Sequence, residues 1–304
     1  MGEKEHRVIE DPEWGYRRLD PPPRAEVLSE FYESHYADLL RKGKRAPDVG
    51  RLMAGGKEAA EEAQWLADTL YSDILAVLEE HMDTGAPRRL LDVGSGTGEF
   101  MAFLQQNGWQ GVGVEPAPEI AAVARGRGLE VHPTSLKGYL ETEKGEGEGT
   151  FSAASLLNVL EHVPSPVDYL NLLREVLEPG GLLVVRVPND FNPLQLSAQE
   201  ALGKEPWWIA VPDHVSYFSY DSLTNLLERL GFRVVYVQGD FPMEMFLLMG
   251  RDYVGNPELG SQCHQERRQF ELALPPETRR SWYRALARAG LGRNILAVAR
   301  VEAP

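Results

Sequence analysis

Residues 90–98 have the types and spacing of a cofactor-binding turn. They read Leu-Leu-Asp-Val-Gly-Ser-Gly-Thr-Gly, an apolar strand that runs into alternating glycines. Glycine has no Cβ, so backbone N–H groups in such a turn lie open to a ligand. The dinucleotide fingerprint needs G-x-G-x-x-G, whereas the spacing here is G-x-G-x-G. We therefore expect a nucleotide-like cofactor without a pyrophosphate, with a purely structural turn as the alternative.

Glu115 is the acidic residue best placed to act with this turn. It ends the apolar stretch 111–114 and lies 21 positions after Gly94. That separation is about one helix plus two turns, which brings an acid at the end of the second strand beside the glycine turn. A carboxylate there accepts hydrogen bonds from both ribose hydroxyls, so we expect Glu115 to bind the ribose. The alternative is an ordinary solvated glutamate at the end of a strand.

The segment from 188 to 220 combines ionisable and aromatic side chains. It follows a buried apolar stretch ending at Val187, and ligands bind at the carboxyl ends of parallel strands. Asp213 and His214 are candidate catalytic residues, since histidine is the commonest general base near neutral pH. The remaining candidates could orient a ring or a sugar in an acceptor pocket: Asn189, Trp207, Trp208 and Tyr217. Core packing is the alternative for the two tryptophans.

Alternating strand and helix signals from Arg88 to Val187 must position these residues. They predict an α/β fold with a doubly wound, seven-stranded, mostly parallel sheet. We expect an N-terminal helical cap over residues 1–85, including one long amphipathic helix over 57–82, and a core over 86–238. An insertion over 239–293 precedes a final strand at 294–304. We interpret this insertion as a lid over the acceptor, with a dimerisation arm as the alternative.

The chain resembles the class I S-adenosylmethionine-dependent methyltransferases, in particular the branch of the ubiquinone-biosynthesis O-methyltransferases. The resemblance covers roughly residues 86–238, and its motifs lie at 90–98, 114–116, 156–164, 177–181 and 227–232. It implies S-adenosylmethionine as cofactor and S-adenosylhomocysteine as product. The segment 177–181 corresponds to the turn before the fifth strand of that family.

The same resemblance assigns roles in donor binding. The backbone of Gly94, Ser95, Gly96 and Gly98 would surround the amino-acid part of the donor, with Asp92 ordering the turn. Pro116 would pack on the adenine, Ser135 and Leu136 would lie at the adenine edge, and Asn158 would lie under the methionine moiety. His162, after the fourth strand, becomes a second candidate base, with a helix-capping histidine as the alternative.

Relatives in this branch can bind a divalent ion through a Glu-x-x-Glu-His segment. Here the segment reads Asn158-Val159-Leu160-Glu161-His162, so one oxygen ligand is replaced by an amide. We therefore expect that no metal is required.

Composition limits the function further. The chain has 304 residues and a net charge of -15, which argues against a nucleic-acid substrate. Its single cysteine, Cys263, excludes an intramolecular disulfide. No apolar run is long enough to span a bilayer, so we expect a cytoplasmic protein, either a monomer or a homodimer.

Together these features predict methyl transfer to a small-molecule acceptor, most simply to oxygen or nitrogen, by in-line displacement with a histidine base. Two alternatives stay open: a protein or RNA methyltransferase, and a non-catalytic scaffold that binds S-adenosylmethionine. A nicotinamide dehydrogenase does not suit the glycine spacing.

Overall fold

The computed structural model describes residues 6–31, 39, 47–143 and 151–302. Residues 1–5, 32–38 and 40–46 of the predicted cap therefore lie outside the described part of the chain. The strands are β1 (Arg7–Glu10), β2 (Arg17–Asp20), β3 (Arg89–Val93), β4 (Gln110–Val114), β5 (Glu130–His132), β6 (Phe151–Leu157), β7 (Leu177–Pro188), β8 (Ser216–Tyr217), β9 (Phe232–Gln238) and β10 (Asn294–Val301).

Seven of these strands form one twisted sheet, in the order β5-β4-β3-β6-β7-β10-β9. The first five are parallel, and β10 runs antiparallel to both β7 and β9. The predicted doubly wound, mostly parallel fold is confirmed. The predicted turn at residues 177–181 instead lies inside the bounds of β7. Gly180 adopts a φ of +80° there, and the pairing with β6 shifts register between Phe151 and Ala153.

Both faces of the sheet are covered because apolar side chains follow one another along each central strand. Leu91 and Val93 of β3 pack into one hydrophobic cluster, whereas Leu90 packs into another on the opposite face. Leu183 and Leu182 of β7 divide in the same way. Successive side chains of a strand point to opposite faces, so a continuous apolar run requires helices on both sides.

The α-helices include α1 (Ala25–Glu30), α2 (Pro47–Ala54), α3 (Gly56–Leu66), α4 (Ser72–His81), α5 (Glu99–Gln106), α6 (Pro118–Gly126), α7 (Leu136–Glu143), α8 (Pro166–Val176), α9 (Pro193–Leu202), α10 (Tyr220–Arg229), α11 (Glu244–Leu248), α12 (Pro257–Ala273) and α13 (Pro276–Arg288). The helix predicted over 57–82 is interrupted by a π-helical stretch, Ala67–Tyr71, between α3 and α4. No helix in the described ranges is long and apolar enough to cross a membrane.

The N-terminal segment begins with a β-hairpin that the sequence did not predict. Strands β1 and β2 pair antiparallel, and β2 pairs with the two-residue strand β8 of the 188–220 segment. Leu19 of β2 and Tyr217 of β8 are buried together in one small apolar cluster. The hairpin therefore fixes the segment that carries Asp213 and His214.

The insertion between β9 and β10 contains α11, α12 and α13. The buried Arg279 of α13 donates two hydrogen bonds to Asp73 of α4, with lengths of 2.9 and 3.2 Å. Trp65 of α3 donates from Nε1 to Glu271 of α12 at 2.8 Å. The insertion is thus joined to the N-terminal helices by buried polar contacts.

Candidate functional site

The glycine turn joins β3 to α5 at the carboxyl edge of the sheet. Gly94 has a φ of +70°, and a Cβ there would lie 2.5 Å from Cγ2 of Val159. Gly98 has a φ of +82°, and its Cβ would lie 2.4 Å from Cδ1 of Leu129. Gly96 also has a positive φ, +56°, but open space surrounds the position of its Cβ. A side chain at either outer glycine would have to displace a neighbouring side chain, and the positive φ angles favour glycine at all three positions. The open space at Gly96 leaves the turn accessible to a ligand.

Glu115 closes this turn. Its Oε2 accepts a hydrogen bond from Gly96 N at 3.0 Å, and its Oε1 accepts one from Ala117 N at 2.9 Å. Burial raises the pKa of the Glu115 carboxyl, and these two backbone bonds oppose the shift. Each carboxylate oxygen has two lone pairs, so both retain capacity for a ribose hydroxyl.

The hydrogen bonding of the Ser95 hydroxyl indicates whether a polar ligand fits the turn. Its Oγ is buried and has no hydrogen-bond partner among the described residues. A buried hydroxyl without a partner costs free energy that a polar ligand would recover. The orphaned hydroxyl, the open position at Gly96 and the acid at Glu115 together fit the amino-acid and ribose parts of S-adenosylmethionine.

The residues that are predicted to contact the adenine follow strands β4 and β5. Pro116 and Ser135 are exposed, whereas Leu136 is buried. Ser135 Oγ accepts a hydrogen bond from Gly138 N at 3.2 Å, so this side chain also caps α7. Val49 and Met53 of α2 pack against Ala117 and Ile120, which brings an N-terminal helix to the edge of the predicted adenine site.

Asp92 lies beneath the turn rather than in it. Ser155 of β6 donates from Oγ to Asp92 Oδ1 at 2.6 Å. Burial, with the neighbouring charge of Glu115, raises the pKa of Asp92 to about 7. Asp92 thus joins β3 to β6 by a buried side-chain bond, consistent with its predicted role in ordering the turn.

Asn158 follows β6 in a left-handed conformation, with a φ of 59°. Arg186 Nη1 donates to its Oδ1, and its Nδ2 donates to Glu161 Oε1 at 3.3 Å. A left-handed φ is uncommon outside glycine, although asparagine tolerates it better than most residues. Its amide is therefore oriented by two partners at the carboxyl ends of β6 and β7.

The structure brings the three predicted catalytic residues together. The rings of His162 and His214 lie edge to face, with centroids 4.8 Å apart. His162 Nδ1 contacts the backbone oxygen of Asp213 at 2.9 Å. Because a carbonyl oxygen only accepts, Nδ1 carries a hydrogen, and Nε2 of the neutral ring holds the lone pair. Asp213 therefore acts on His162 through its main chain, while its side chain is fully buried.

Glu161 adds a carboxylate to this pair. Its Oε1 lies 3.9 Å from His162 Nε2, and its buried Oε2 has no hydrogen-bond partner among the described residues. Burial raises the pKa of the Glu161 carboxyl. Ligand atoms of Glu161, His162 and His214 all lie within 4.8 Å of one another, so these three side chains could approach one metal ion. The expectation that no metal is required stays a prediction.

The predicted acceptor-pocket residues are largely engaged within the protein. Asn189 donates both hydrogens of Nδ2, to the backbone oxygens of Gly290 and Gly292 at 3.1 and 3.0 Å. Tyr217 OH donates to the backbone oxygen of His214 at 3.0 Å. Trp208 is buried and Trp207 half-buried, and their ring centroids lie 4.9 Å apart. These contacts position the loop; direct contact with an acceptor stays a prediction for all four.

A buried charge cluster near these residues was not assigned from the sequence. Arg293 Nη1 lies 3.5 Å from Asp190 Oδ1 and 3.6 Å from Glu244 Oε1. Burial raises the pKa of Asp190 to about 6, with the charges of Glu161 and Glu244 acting in the same direction. No spacing signal could have found the cluster, because Glu244 and Arg293 lie at opposite ends of the insertion.

Sequence comparison places much of this region in one family. A family model described as a methyltransferase domain matches residues 62–237. The C-methyltransferase NovU of Streptomyces niveus is 32% identical over 146 residues, covering 48% of this chain and 33% of that protein. A ubiquinone biosynthesis O-methyltransferase of Xanthomonas oryzae pv. oryzae is 35% identical over 106 residues, covering 34% of this chain and 44% of that protein. The chain thus matches less than half the length of each relative.

Structure comparison extends the likeness over the whole fold. The 1,6-didemethyltoxoflavin-N1-methyltransferase of Burkholderia thailandensis superimposes with a TM-score of 0.53 and 18% sequence identity. The superposition covers 98% of this chain and 100% of the other. At that identity, the likeness concerns the fold alone.

Proposed function

This chain belongs to the class I S-adenosylmethionine-dependent methyltransferases, and on that premise we propose that it methylates a small-molecule acceptor. One observation carries the proposal: the glycine turn has space for a ligand at Gly96, and Glu115 accepts a hydrogen bond from the backbone of the same residue. The Ser95 hydroxyl of this turn has no hydrogen-bond partner among the described residues. O-methylation or N-methylation is the simplest reaction for the residues present. The relatives named above include both a C-methyltransferase and an O-methyltransferase.

The chain's own residues bind and orient the donor. S-adenosylmethionine, when bound, supplies a methyl group already activated on a sulfonium. The open space at Gly96 and the Ser95 hydroxyl would hold its amino-acid part, and Glu115 would accept hydrogen bonds from the ribose hydroxyls. The backbone N–H groups of the turn already donate within the protein, those of Gly94 and Ser95 to Val114 O and that of Gly98 to Ser95 O. Asn158 lies beside the methionine end. Since the methyl group is already activated, holding donor and acceptor in line supplies most of what catalysis needs.

His162 is the proposed general base. Nδ1 donates to the backbone oxygen of Asp213. In this tautomer Nε2 carries the lone pair and would take a proton from an acceptor hydroxyl or protonated amine. From a hydroxyl, the proton would move to Nε2 as the oxygen forms its bond to the methyl carbon. A protonated amine would give up its proton to Nε2 first, which frees the nitrogen lone pair for the attack. In both cases the carbon–sulfur bond of the donor would break and S-adenosylhomocysteine would leave. His214, edge to face with His162, limits the movement of the ring.

The insertion 239–293 is proposed as a lid over the acceptor side. Its residue Arg293 lies 3.5 Å from Asp190, two residues after the carboxyl end of β7, and 3.6 Å from Glu244 at the other end of the insertion. Residues of this segment therefore lie beside the loop that carries the candidate acceptor residues. A dimerisation arm is the alternative, and the exposed Leu248 and Met249 of this segment would suit it.

Calorimetric titration with S-adenosylmethionine, S-adenosylhomocysteine and NAD tests the donor site without the unknown acceptor. Micromolar binding of the two sulfur compounds and none of NAD is the expected result. Failure of both sulfur compounds to bind would refute the proposal. Transfer of a labelled methyl group is then screened over phenols, sugars, amines, RNA and protein; labelling of RNA or protein alone would favour the macromolecular alternative.

A further inference from the structure

Asp240, two residues after the end of β9, is a buried side chain that accepts several hydrogen bonds. Its Oδ1 accepts from Asn294 N at 2.7 Å, and its Oδ2 accepts from Asn294 Nδ2 at 2.6 Å. Oδ2 also accepts from Arg186 Nη2 at 3.1 Å and from Arg267 Nη2 at 3.3 Å. One carboxylate thus balances two arginines that come from different parts of the fold.

Arg186 connects Asp240 to the proposed donor site. While Nη2 donates to Asp240, Nη1 of the same guanidinium donates to Asn158 Oδ1. Asn158 N also donates to the backbone oxygen of Arg186 at 2.8 Å. The planar guanidinium donates to both partners with a fixed angle between its N–H groups. The position of Asp240 therefore determines the orientation of Arg186 toward Asn158.

Arg267 connects Asp240 to helix α12 of the insertion. It lies on α12 and donates from Nε to Glu271 Oε1 at 3.3 Å. Glu271 in turn accepts from Trp65 Nε1 on α3 and from the hydroxyl of Tyr283 on α13. A continuous chain of buried polar contacts therefore runs from the N-terminal helices, through α12, to Asn158.

We propose that Asp240 is a positioning residue for donor binding, which holds Arg186 against Asn158 and couples α12 of the insertion to that contact. The inference rests on the proposed placement of Asn158 at the methionine end of the donor. Without the carboxylate charge, two buried guanidiniums lose their shared counter-ion, and Arg186 is drawn toward Glu161, the remaining acid beside Asn158. Asn158 would then lose the partner that fixes its amide.

Asp240→Asn tests the proposal against a matched control, Asp73→Asn. Asp73 is also a buried aspartate that accepts from two arginines, Arg279 and Arg280, but these contacts join α13 to α4 and include none of the proposed donor-binding residues. Calorimetric titration with S-adenosylhomocysteine should show a Kd raised about 3- to 30-fold in Asp240→Asn and less than about twofold in Asp73→Asn. Equal effects of the two variants would overturn the proposal.

A double-mutant cycle separates positioning from general loss of structure. If Asp240 acts through Asn158, then Asp240→Asn in an Asn158→Ala background should change the Kd by less than about twofold. Full additivity would mean that Asp240 does not act through Asn158. Failure of the wild-type protein to bind S-adenosylhomocysteine would instead refute the proposed function itself.

Arg186→Lys provides a second route if Asp240→Asn does not fold. Lysine keeps the charge beside Asp240 but cannot span two partners as the guanidinium does. Its control is Arg279→Lys, which makes the same change in the buried pair with Asp73. We expect weaker donor binding in Arg186→Lys only; donor binding equal to that of Arg279→Lys would contradict the proposal.

Discussion

The backbone N–H of Gly96 donates to Oε2 of Glu115 at 3.0 Å. The acid that is proposed to hold the ribose therefore also closes the turn proposed to hold the amino-acid part of the donor. A substitution of Glu115 should therefore affect the conformation of the turn and the binding of the ribose together.

Glu115→Ala should weaken binding of S-adenosylhomocysteine by about 2–3 kcal/mol, or about 30- to 150-fold, because charge-assisted hydrogen bonds are lost. Calorimetric titration measures the Kd. The control is Glu130→Ala at the start of β5, where the side chain is 65% exposed and should contribute nothing to binding. An unchanged Kd in Glu115→Ala would remove this residue from the site.

Ser95→Ala should weaken donor binding by about 0.5–1.5 kcal/mol without lowering the free energy of unfolding of the ligand-free protein. The hydroxyl has no hydrogen-bond partner to lose within the described part of the chain. Ser155→Ala is the opposite case, because it deprives the buried Asp92 of its donor and should lower the free energy of unfolding by about 1–3 kcal/mol. Chemical denaturation measures the free energy of unfolding of both variants, and calorimetric titration measures their donor Kd. A loss of stability in Ser95→Ala would contradict the prediction.

Asp92 should make stability fall as pH rises. The pKa of the Asp92 carboxyl is about 7 in the folded protein against an ordinary value of 3.8, so the folded state binds the proton more tightly. Its contribution is therefore present below about pH 4 and is lost as pH rises toward 7, by at most about 1.4 kcal/mol per pH unit. The Asp92→Asn variant has no group that titrates at this position. Its free energy of unfolding relative to wild type should therefore increase as pH rises from about 4 to about 8. Denaturant titrations that show a pH-independent difference would contradict the raised pKa.

His162→Asn should lower kcat for methyl transfer by about 10²- to 10⁴-fold and leave the Kd of S-adenosylhomocysteine unchanged. Asparagine can still donate to the backbone oxygen of Asp213 but cannot accept a proton. His132→Asn on β5 serves as the control. The measurement uses whichever acceptor the screen identifies, and a kcat within a few-fold of wild type would exclude His162 as the base.

Removal of divalent ions should leave methyl transfer unchanged. Glu161, His162 and His214 offer three ligand atoms, but the Arg186 guanidinium occupies Asn158 Oδ1, next to Glu161. A fixed positive charge there disfavours a cation. Activity is compared before and after treatment with a chelator; loss of turnover that magnesium or zinc restores would show that the ion is required.

The local pattern of residues was sufficient to predict those parts of the fold and of the site that are contiguous in sequence. The glycine turn, the strand before it and Glu115 all lie within one strand-helix-strand unit, whose geometry follows from backbone conformation and short connections. The continuous apolar runs of the central strands also require helices on both faces, so the layered sheet was predictable. The N-terminal hairpin was not, because β2 needs β8, about two hundred residues later, to complete its pairing.

Residue types and spacing were enough to indicate a nucleotide-like cofactor without a pyrophosphate, and the family resemblance indicated S-adenosylmethionine. The contacts among His162, Asp213 and His214 could be found only from the tertiary structure. The same holds for the contacts of Asn189 with the turn at 290–292 and of Asp240 with Arg186 and Arg267. These partners come from separate loops and from the insertion. Their contacts depend on how the elements pack, and buried polar groups find their hydrogen-bond partners in space rather than at fixed intervals along the chain.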